Sequence, residues 1–121
     1  MPGPYLYPKK IFDFSSLNLL TPFTTVQDSS NVACAANVYT TLIAITLASS
    51  KWVQMFVSVA APGDVVVLAT GAVGHEVDFQ DFTIILQNGI QLMNLPLSIP
   101  AGVRVSLKPT GNVTAEFHMY Y

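Results

Sequence analysis

The chain has 121 residues, the size of a single domain. Charged residues make up 10% and hydrophobic residues 51%, which excludes disorder, since a disordered chain needs low hydrophobicity and high charge. The net charge of -2 argues against a nucleic-acid binder, because phosphate contacts need a basic surface. The single cysteine, Cys34, excludes an intrachain disulfide and a cysteine-built zinc site.

The sequence predicts neither a membrane span nor a secretory leader. The most apolar stretch, residues 38–48, is interrupted by threonines and is shorter than the roughly 20 residues that a spanning helix needs. We expect a protein made in a cytoplasm, where a lone reduced thiol is typical. With so few charges, part of the folded surface must be apolar, and large apolar patches usually mark association sites. The composition therefore predicts an oligomer or a subunit of a larger assembly.

Residues 1–21 differ in composition from the rest of the chain. Three prolines among the first eight residues disfavour both helix and sheet ladder. Aromatic side chains are interleaved through the segment, at Tyr5, Tyr7, Phe12 and Phe14. Two interpretations stay open: an extended arm that docks on a neighbouring subunit, or a strand or cover that packs on its own domain.

From residue 22 onward the sequence predicts β-strands, because its runs are β-branched or alternate between apolar and polar residues. The runs are 24–26, 38–47, 52–59, 65–69, 82–86, 90–95, 103–108 and 113–120. A single short helical turn within 29–36 is compatible with the pattern. About eight strands at roughly 8–12-residue spacing predict an all-β fold. We predict a jelly-roll-like β-sandwich of about eight antiparallel strands over residues 22–121, with an extended N-terminal arm.

Two dipeptides mark turns between these strands. Pro62-Gly63 suits a type II turn, in which proline presets the first central residue and glycine takes the positive φ of the second. Asn88-Gly89 is the strongest short signal for a β-hairpin.

Residues able to bind a metal cluster in one stretch, at His75, Glu76, Asp78 and Asp81. Neighbouring residues on a strand point to opposite faces, and the spacing lacks the glycine-punctuated pattern of a calcium loop. We interpret the stretch as a solvated polar loop, and we expect no metal, no cofactor and no catalytic residue.

Cys34 lies among small apolar residues with no local base, and buried free cysteines usually behave as small hydrophobes. Aromatic side chains suggest a second possibility, because such rings form stacking platforms for sugars. The candidates are Trp52, Tyr39, Tyr120 and Tyr121. Large aromatic residues on an alternating strand are more often core or interface residues. The glycosylation sequon that begins at Asn112 is interpreted as incidental, since no secretory leader is predicted.

Two motifs together resemble a known group of proteins. An apolar strand ends in Gly-x-x-Gly-x-Glu at residues 71–76, and Pro-x-x-Ile-Pro-x-Gly-x-Arg follows at residues 96–104. This combination is similar to small β-rich virion structural proteins of tailed bacteriophages, several of which are capsid decoration (cement) proteins with a jelly-roll-like sandwich. The resemblance covers residues 66–108.

The resemblance implies a non-enzymatic virion protein that binds the major capsid protein or other virion subunits, as a homo-oligomer that we expect to be a trimer. Neither a membrane nor a nucleic acid is expected as a partner. The alternative is a carbohydrate-binding β-sandwich module of a tail fibre or receptor-binding protein. We expect protein contacts from the arm and from Arg104, whose planar guanidinium suits a bidentate carboxylate. Glu76 is one possible partner.

Overall fold

A computed structural model describes residues 26–87 and 89–121. Within these residues the chain forms eight β-strands and no helix. The strands are β1 (Val26–Cys34), β2 (Thr40–Ile43), β3 (Trp52–Ser58), β4 (Val65–Thr70), β5 (Val77–Thr83), β6 (Ile90–Leu95), β7 (Val105–Pro109) and β8 (Val113–Tyr120). The predicted all-β fold is therefore confirmed, and so is the predicted number of strands.

The strands form two four-stranded antiparallel sheets. The first sheet has the order β1-β8-β3-β6, and the second has the order β2-β7-β4-β5. Every strand pair is antiparallel. The main apolar core contains side chains from both sheets, among them Phe117 and Met55 of the first and Leu68 and Leu107 of the second. The fold is a β-sandwich whose two sheets share this core.

The alternation of apolar and polar residues along the strands determines which side chains enter the core, as the sequence predicts. In β8 the residues Val113, Ala115, Phe117 and Met119 are buried, and the residues between them are half-buried on the opposite face. β3 has the same pattern. Because successive side chains of a strand point to opposite faces, these two central strands present one apolar face to the core and one mixed face outward.

The turn at Pro62-Gly63 is formed as predicted. Gly63 has a φ of 90°, and the Asp64 amide donates to the Ala61 carbonyl at 3.1 Å. Proline at the first central position and a positive φ at the second define a type II turn. Gly63 provides the conformation that a residue with a Cβ adopts only with strain.

Several predicted strand bounds were wrong. β2 covers only Thr40–Ile43 of the predicted 38–47, and β5 ends at Thr83, where residues 82–86 were predicted. In both places several apolar residues that follow the strand lie on the surface, at Ile45, Leu47, Ile85 and Leu86, whereas Ile84 is buried. Beyond these strand ends, glutamine side chains of other strands bond to the backbone of the exposed residues, as described below.

Two further predictions fail between Ser29 and Val59. Residues 29–34 belong to β1, so the compatible helical turn is absent; the register instead shifts between Ser29 and Val32, where Asn31 has a φ of 54°. Val59 does not extend the buried face of β3, since its φ is 67° and its side chain is 77% exposed. The strand therefore ends one residue earlier than its alternation predicts.

None of the described residues forms a helix long and apolar enough to span a bilayer. Tyr5, Tyr7, Phe12 and Phe14 lie outside the described residues, and so does Asn88 of the predicted hairpin turn. The arm and its contacts stay predictions.

Candidate interaction surface

The two motifs that carry the resemblance meet in the folded chain through one ion pair. Arg104 Nη1 lies 2.9 Å from Glu76 Oε2, and the two side chains are only 12% and 9% exposed. Arg104 also donates from Nε to Thr41 Oγ1 at 2.7 Å and from Nη1 to the Gly71 carbonyl at 3.3 Å. Thr41 lies on β2 and Gly71 follows β4, so the guanidinium extends across β7, which lies between them. The partner proposed for Arg104 is confirmed.

The glycines of the first motif shape the loop that presents Glu76. Gly71 has a φ of 123°, and a Cβ there would overlap the carbonyl oxygen of His75. Gly74 has a φ of 85°, and its amide donates to both carboxylate oxygens of Glu76 at 3.1 Å. The tight turn thus brings a backbone donor to the carboxylate on one side while Arg104 contacts it on the other.

The second motif is held in place by Thr46, a buried residue of the β2–β3 connection. Its hydroxyl donates to the Pro100 carbonyl at 2.6 Å and accepts from the Val103 amide at 3.0 Å. Its backbone carbonyl accepts from the Gly102 amide at 2.8 Å, at the position where Gly102 has a φ of 76°. These contacts fix the turn immediately before Arg104, so the guanidinium enters the ion pair from a rigid backbone.

The charge state of Glu76 follows from these contacts. Burial raises the pKa of its carboxyl, but hydrogen bonds from its own backbone amide, from Arg104 and from the Gly74 amide outweigh burial, and the pKa lies below the ordinary 4.5. The predicted solvated polar loop is therefore wrong for Glu76. Because Arg104 makes its hydrogen bonds inside the subunit, its role at a protein interface stays a prediction.

Gln91 of β6 fixes a loop that displays two apolar side chains. Its Oε1 accepts from the amides of Ile85 and Leu86 at 2.9 and 3.3 Å, and its Nε2 donates to the Thr83 carbonyl at 3.1 Å. The side-chain amide thus makes the hydrogen bonds that a peptide group of a neighbouring strand would otherwise make. Backbone donors of residues 85 and 86 are satisfied, while their side chains are 75% and 47% exposed.

Gln27 of β1 does the same at the opposite edge of the sheet. Its Nε2 donates to the Ile45 carbonyl and its Oε1 accepts from the Leu47 amide, both at 2.9 Å. Ile45 and Leu47 are exposed, and so is Val26 beside Gln27. Both edge strands of the first sheet thus use a glutamine to hold an exposed apolar loop.

Apolar exposure is densest around β6. Ile90 and Leu92 are 64% and 49% exposed, and both lie on the outer face of the sheet. Ile85 and Leu86, whose amides bond to the Gln91 side chain, are exposed as well, and we call these four residues the β6 corner. No charged residue occurs between residues 84 and 95. Since scattered single apolar residues are normal at a surface but clusters mark association sites, the β6 corner is a candidate interface.

A second feature of the outer face is a cluster of aromatic and amide side chains. Trp52 lies opposite Tyr120, and Gln54 lies opposite Asn94. The Trp52 indole N–H donates to Asn94 Oδ1, and the Tyr120 hydroxyl donates to Gln54 Oε1 at 3.2 Å. Sugar rings stack on aromatic faces, and sugar hydroxyls form hydrogen bonds with amide groups. This outer-face cluster contains both.

The other candidate residues from the sequence lie in surroundings that indicate a structural role. Burial raises the pKa of the Cys34 thiol, opposed by a hydrogen bond with Thr40, and a protonated thiol is a weak nucleophile. Tyr39 donates its hydroxyl to Asp78 at 2.6 Å and lies under the Lys108 ammonium, 4.6 Å from its ring centre. Within residues 26–87 and 89–121, no three His, Cys, Asp or Glu side chains are placed to share a metal ion.

Sequence reasoning found the Arg104 and Glu76 pair but missed both glutamines. The sequence signal for them is a glutamine on an edge strand, close to apolar residues that follow the end of another strand. This pattern is too common to identify such a glutamine. No family model matches the chain, and no curated protein matches it in sequence.

Proposed function

We propose that this protein is a non-enzymatic structural subunit, a capsid decoration protein that binds and stabilises a bacteriophage head as an oligomer. The observation that carries the proposal is the β6 corner. Gln91 hydrogen-bonds the backbone of two of its four residues, Ile85 and Leu86, and a preorganised surface loses less conformational entropy when a partner binds.

The connectivity supports a jelly-roll assignment within the sandwich. Consecutive strands alternate between the two sheets, except that β4 and β5 are neighbours in the same sheet. Eight strands connected as two Greek keys define a jelly roll, an architecture used by viral capsid domains, lectins and cupins. Because one fold supports many functions, the proposal depends on the surface and on the resemblance of the two motifs.

The proposal is tested by cosedimentation of the purified protein with assembled phage heads that lack it, after light scattering has given its oligomeric state. We expect an oligomer that cosediments. The double variant Ile85→Ser/Leu86→Ser should lose cosedimentation, and the matched variant Val73→Ser, at a side chain 77% exposed on the β4–β5 turn, should keep it. A monomer that does not bind heads would overturn the proposal.

The outer-face cluster favours one second candidate, carbohydrate binding. Trp52 and Tyr120 offer rings beside the amides of Gln54 and Asn94, and a module of this kind would read glycans on a host surface. Glycan-array binding that is lost in Trp52→Ala and kept in Phe79→Ala, an aromatic substitution on the other sheet, would favour this candidate. No binding by the wild-type protein would remove it.

A further inference from the structure

The four edge strands of the two sheets differ in how well they are protected against pairing with another chain. Exposed edges invite such pairing, and proteins protect them with charges, prolines, bulges or short strands. β1 carries Asp28 and a register shift, β2 has only four residues, and β5 carries Asp78 and Asp81 and a register shift against β4. β6 has six residues, no charge and no proline, and it pairs with β3 without a register shift.

The outer edge of β6 pairs with no other strand among residues 26–87 and 89–121. In an antiparallel pair, alternate residues direct their N–H and C=O groups toward the partner strand, and the residues between them direct theirs away. The backbone groups that β6 turns away from β3 therefore form a row of donors and acceptors along a regular strand. Such a row can bind one further strand through main-chain hydrogen bonds.

The carboxylates of the first sheet lie on the half of the sheet that is farther from this edge. β6 and its neighbour β3 carry no charged residue, whereas Glu116 lies on β8 and Asp28 lies on β1. If two copies joined at β6, their β8 strands would lie five strand spacings apart, about 24 Å, which is roughly three Debye lengths at physiological ionic strength. Two copies can therefore pair at β6 with little charge repulsion, whereas pairing at β5 would bring the aspartates of both copies onto adjacent strands.

The sequence of β6 restricts the register of such a pair. A two-fold axis gives an antiparallel pair, in which residues directly opposite each other lie on the same face, so the axis must pass through a residue. Two axes pair five of the six residues of β6, one at Leu92 and one at Met93. The axis at Met93 would place Ile90 opposite Pro96, which has no N–H for a ladder. The axis at Leu92 places Ile90 opposite Asn94 of the other copy and leaves the proline outside the pair.

We infer that two copies of this chain pair through β6 about a two-fold axis at Leu92, which joins their first sheets into one continuous sheet. Leu92 is 49% exposed, and its two copies would pack side by side across the axis, a favourable cross-strand contact. The inference rests on the proposed function in one respect, since it requires an oligomer. It names the contact that joins the copies, and it predicts a pair of copies where the resemblance implies a trimer.

Disulfide trapping in the full-length protein tests this contact. The two Leu92 Cα atoms would lie about 4.5–5.5 Å apart across the axis, within the range of a disulfide. The two Ile90 Cα atoms would lie about 14 Å apart, because they are separated by four residues along the strands, and this distance is too long for a disulfide. We expect Leu92→Cys chains to form linked dimers under mild oxidation at least about tenfold faster than Ile90→Cys chains, since a docked contact raises the local thiol concentration to about the millimolar range.

Ile90→Cys is a stringent control, because Ile90 is 64% exposed and would react faster than Leu92→Cys if collisions were random. Mixing Ile90→Cys chains with Asn94→Cys chains should restore rapid linkage, because these two residues lie opposite each other across the axis. The mixture keeps Leu92 intact, so it also tests the inference should Leu92→Cys fold poorly. The native Cys34 is 2% exposed and does not compete.

The variant Leu92→Lys provides an independent measurement, since it places two ammonium groups opposite each other at the axis, and like charges in that position are destabilising. We expect sedimentation velocity to give a dimer for the wild type and a monomer for Leu92→Lys, with the same circular dichroism spectrum. Equal linkage rates for Leu92→Cys and Ile90→Cys, slow linkage in the mixture, or a wild type that is monomeric or trimeric would overturn the inference. Because no heads are present, these outcomes are separate from cosedimentation, which alone decides whether the protein binds heads.

Discussion

Glu76 and Arg104 are 28 residues apart in the chain, and their side chains are joined at 2.9 Å between Oε2 and Nη1. One residue ends the glycine-rich turn after β4, and the other precedes β7. The ion pair also connects to Thr41 on β2 through the guanidinium Nε. Arg104, directly before β7, thus contacts residues on or next to the other three strands of the second sheet, β2, β4 and β5.

Replacing Arg104 should destabilise the domain by removing several contacts at once. Arg104→Ala should lower the melting temperature by several degrees, and Arg104→Lys should lower it nearly as much, because an ammonium cannot reproduce the fork that reaches Thr41, Gly71 and Glu76. Thermal unfolding followed by circular dichroism measures both. Lys51→Ala, a substitution at another cation outside this network, should have little effect. A lysine variant as stable as the wild type would contradict the interpretation.

The ion pair should also make stability depend on pH. The pKa of Glu76 is lower in the folded protein than its ordinary 4.5, so its contribution is fully present above pH 4.5 and is lost as the pH falls through the folded pKa. Glu76→Gln should therefore be less stable than the wild type near neutral pH, and the difference should shrink in acid. Urea titrations of both proteins, near neutrality and well below pH 4.5, measure this change. A difference that stays constant would contradict it.

Removing the Gln91 side chain should loosen the loop at residues 85 and 86 without disturbing the first sheet. Gln91→Ala removes hydrogen bonds to Ile85 and Leu86. Since one such bond contributes about 1 kcal/mol, hydrogen exchange at these two amides should accelerate by about fivefold. Gln54→Ala, whose side chain contacts Tyr120 instead, should leave the rates of both amides unchanged. Unaltered exchange in Gln91→Ala would show that the loop is held by other contacts.

Removing each of two buried hydroxyl groups should have contrasting effects on the free energy of unfolding. Ser106 Oγ has no hydrogen-bond partner among the described residues, so Ser106→Ala should leave stability unchanged or raise it by up to about 1 kcal/mol. Thr46 Oγ1 makes two hydrogen bonds, and Thr46→Val should cost about 1–3 kcal/mol, because it leaves the Pro100 carbonyl and the Val103 amide unpaired. Urea unfolding of both variants measures the contrast; equal effects would contradict it.

The alternation of residue types determined most of the fold. In β3 and β8 the apolar and polar residues have the period of two that a half-buried strand requires, and the predicted bounds match the observed strands to within two residues. The Pro62-Gly63 turn was determined locally as well, because its two residues restrict their own backbone angles.

Only the tertiary structure decided where β2 and β5 end and what lies on the surface. Ile85 and Leu86 look like strand residues in sequence, but the Gln91 side chain, five to six residues further on, takes the hydrogen bonds of their backbone. Gln27 acts on Ile45 and Leu47 across about twenty residues. A residue's own type sets its preference for the core, whereas a side chain on another strand decides whether its backbone joins a ladder. That is why the sequence by itself determined the class of fold, and why the placement of the exposed apolar surface depended on contacts that only the folded chain makes.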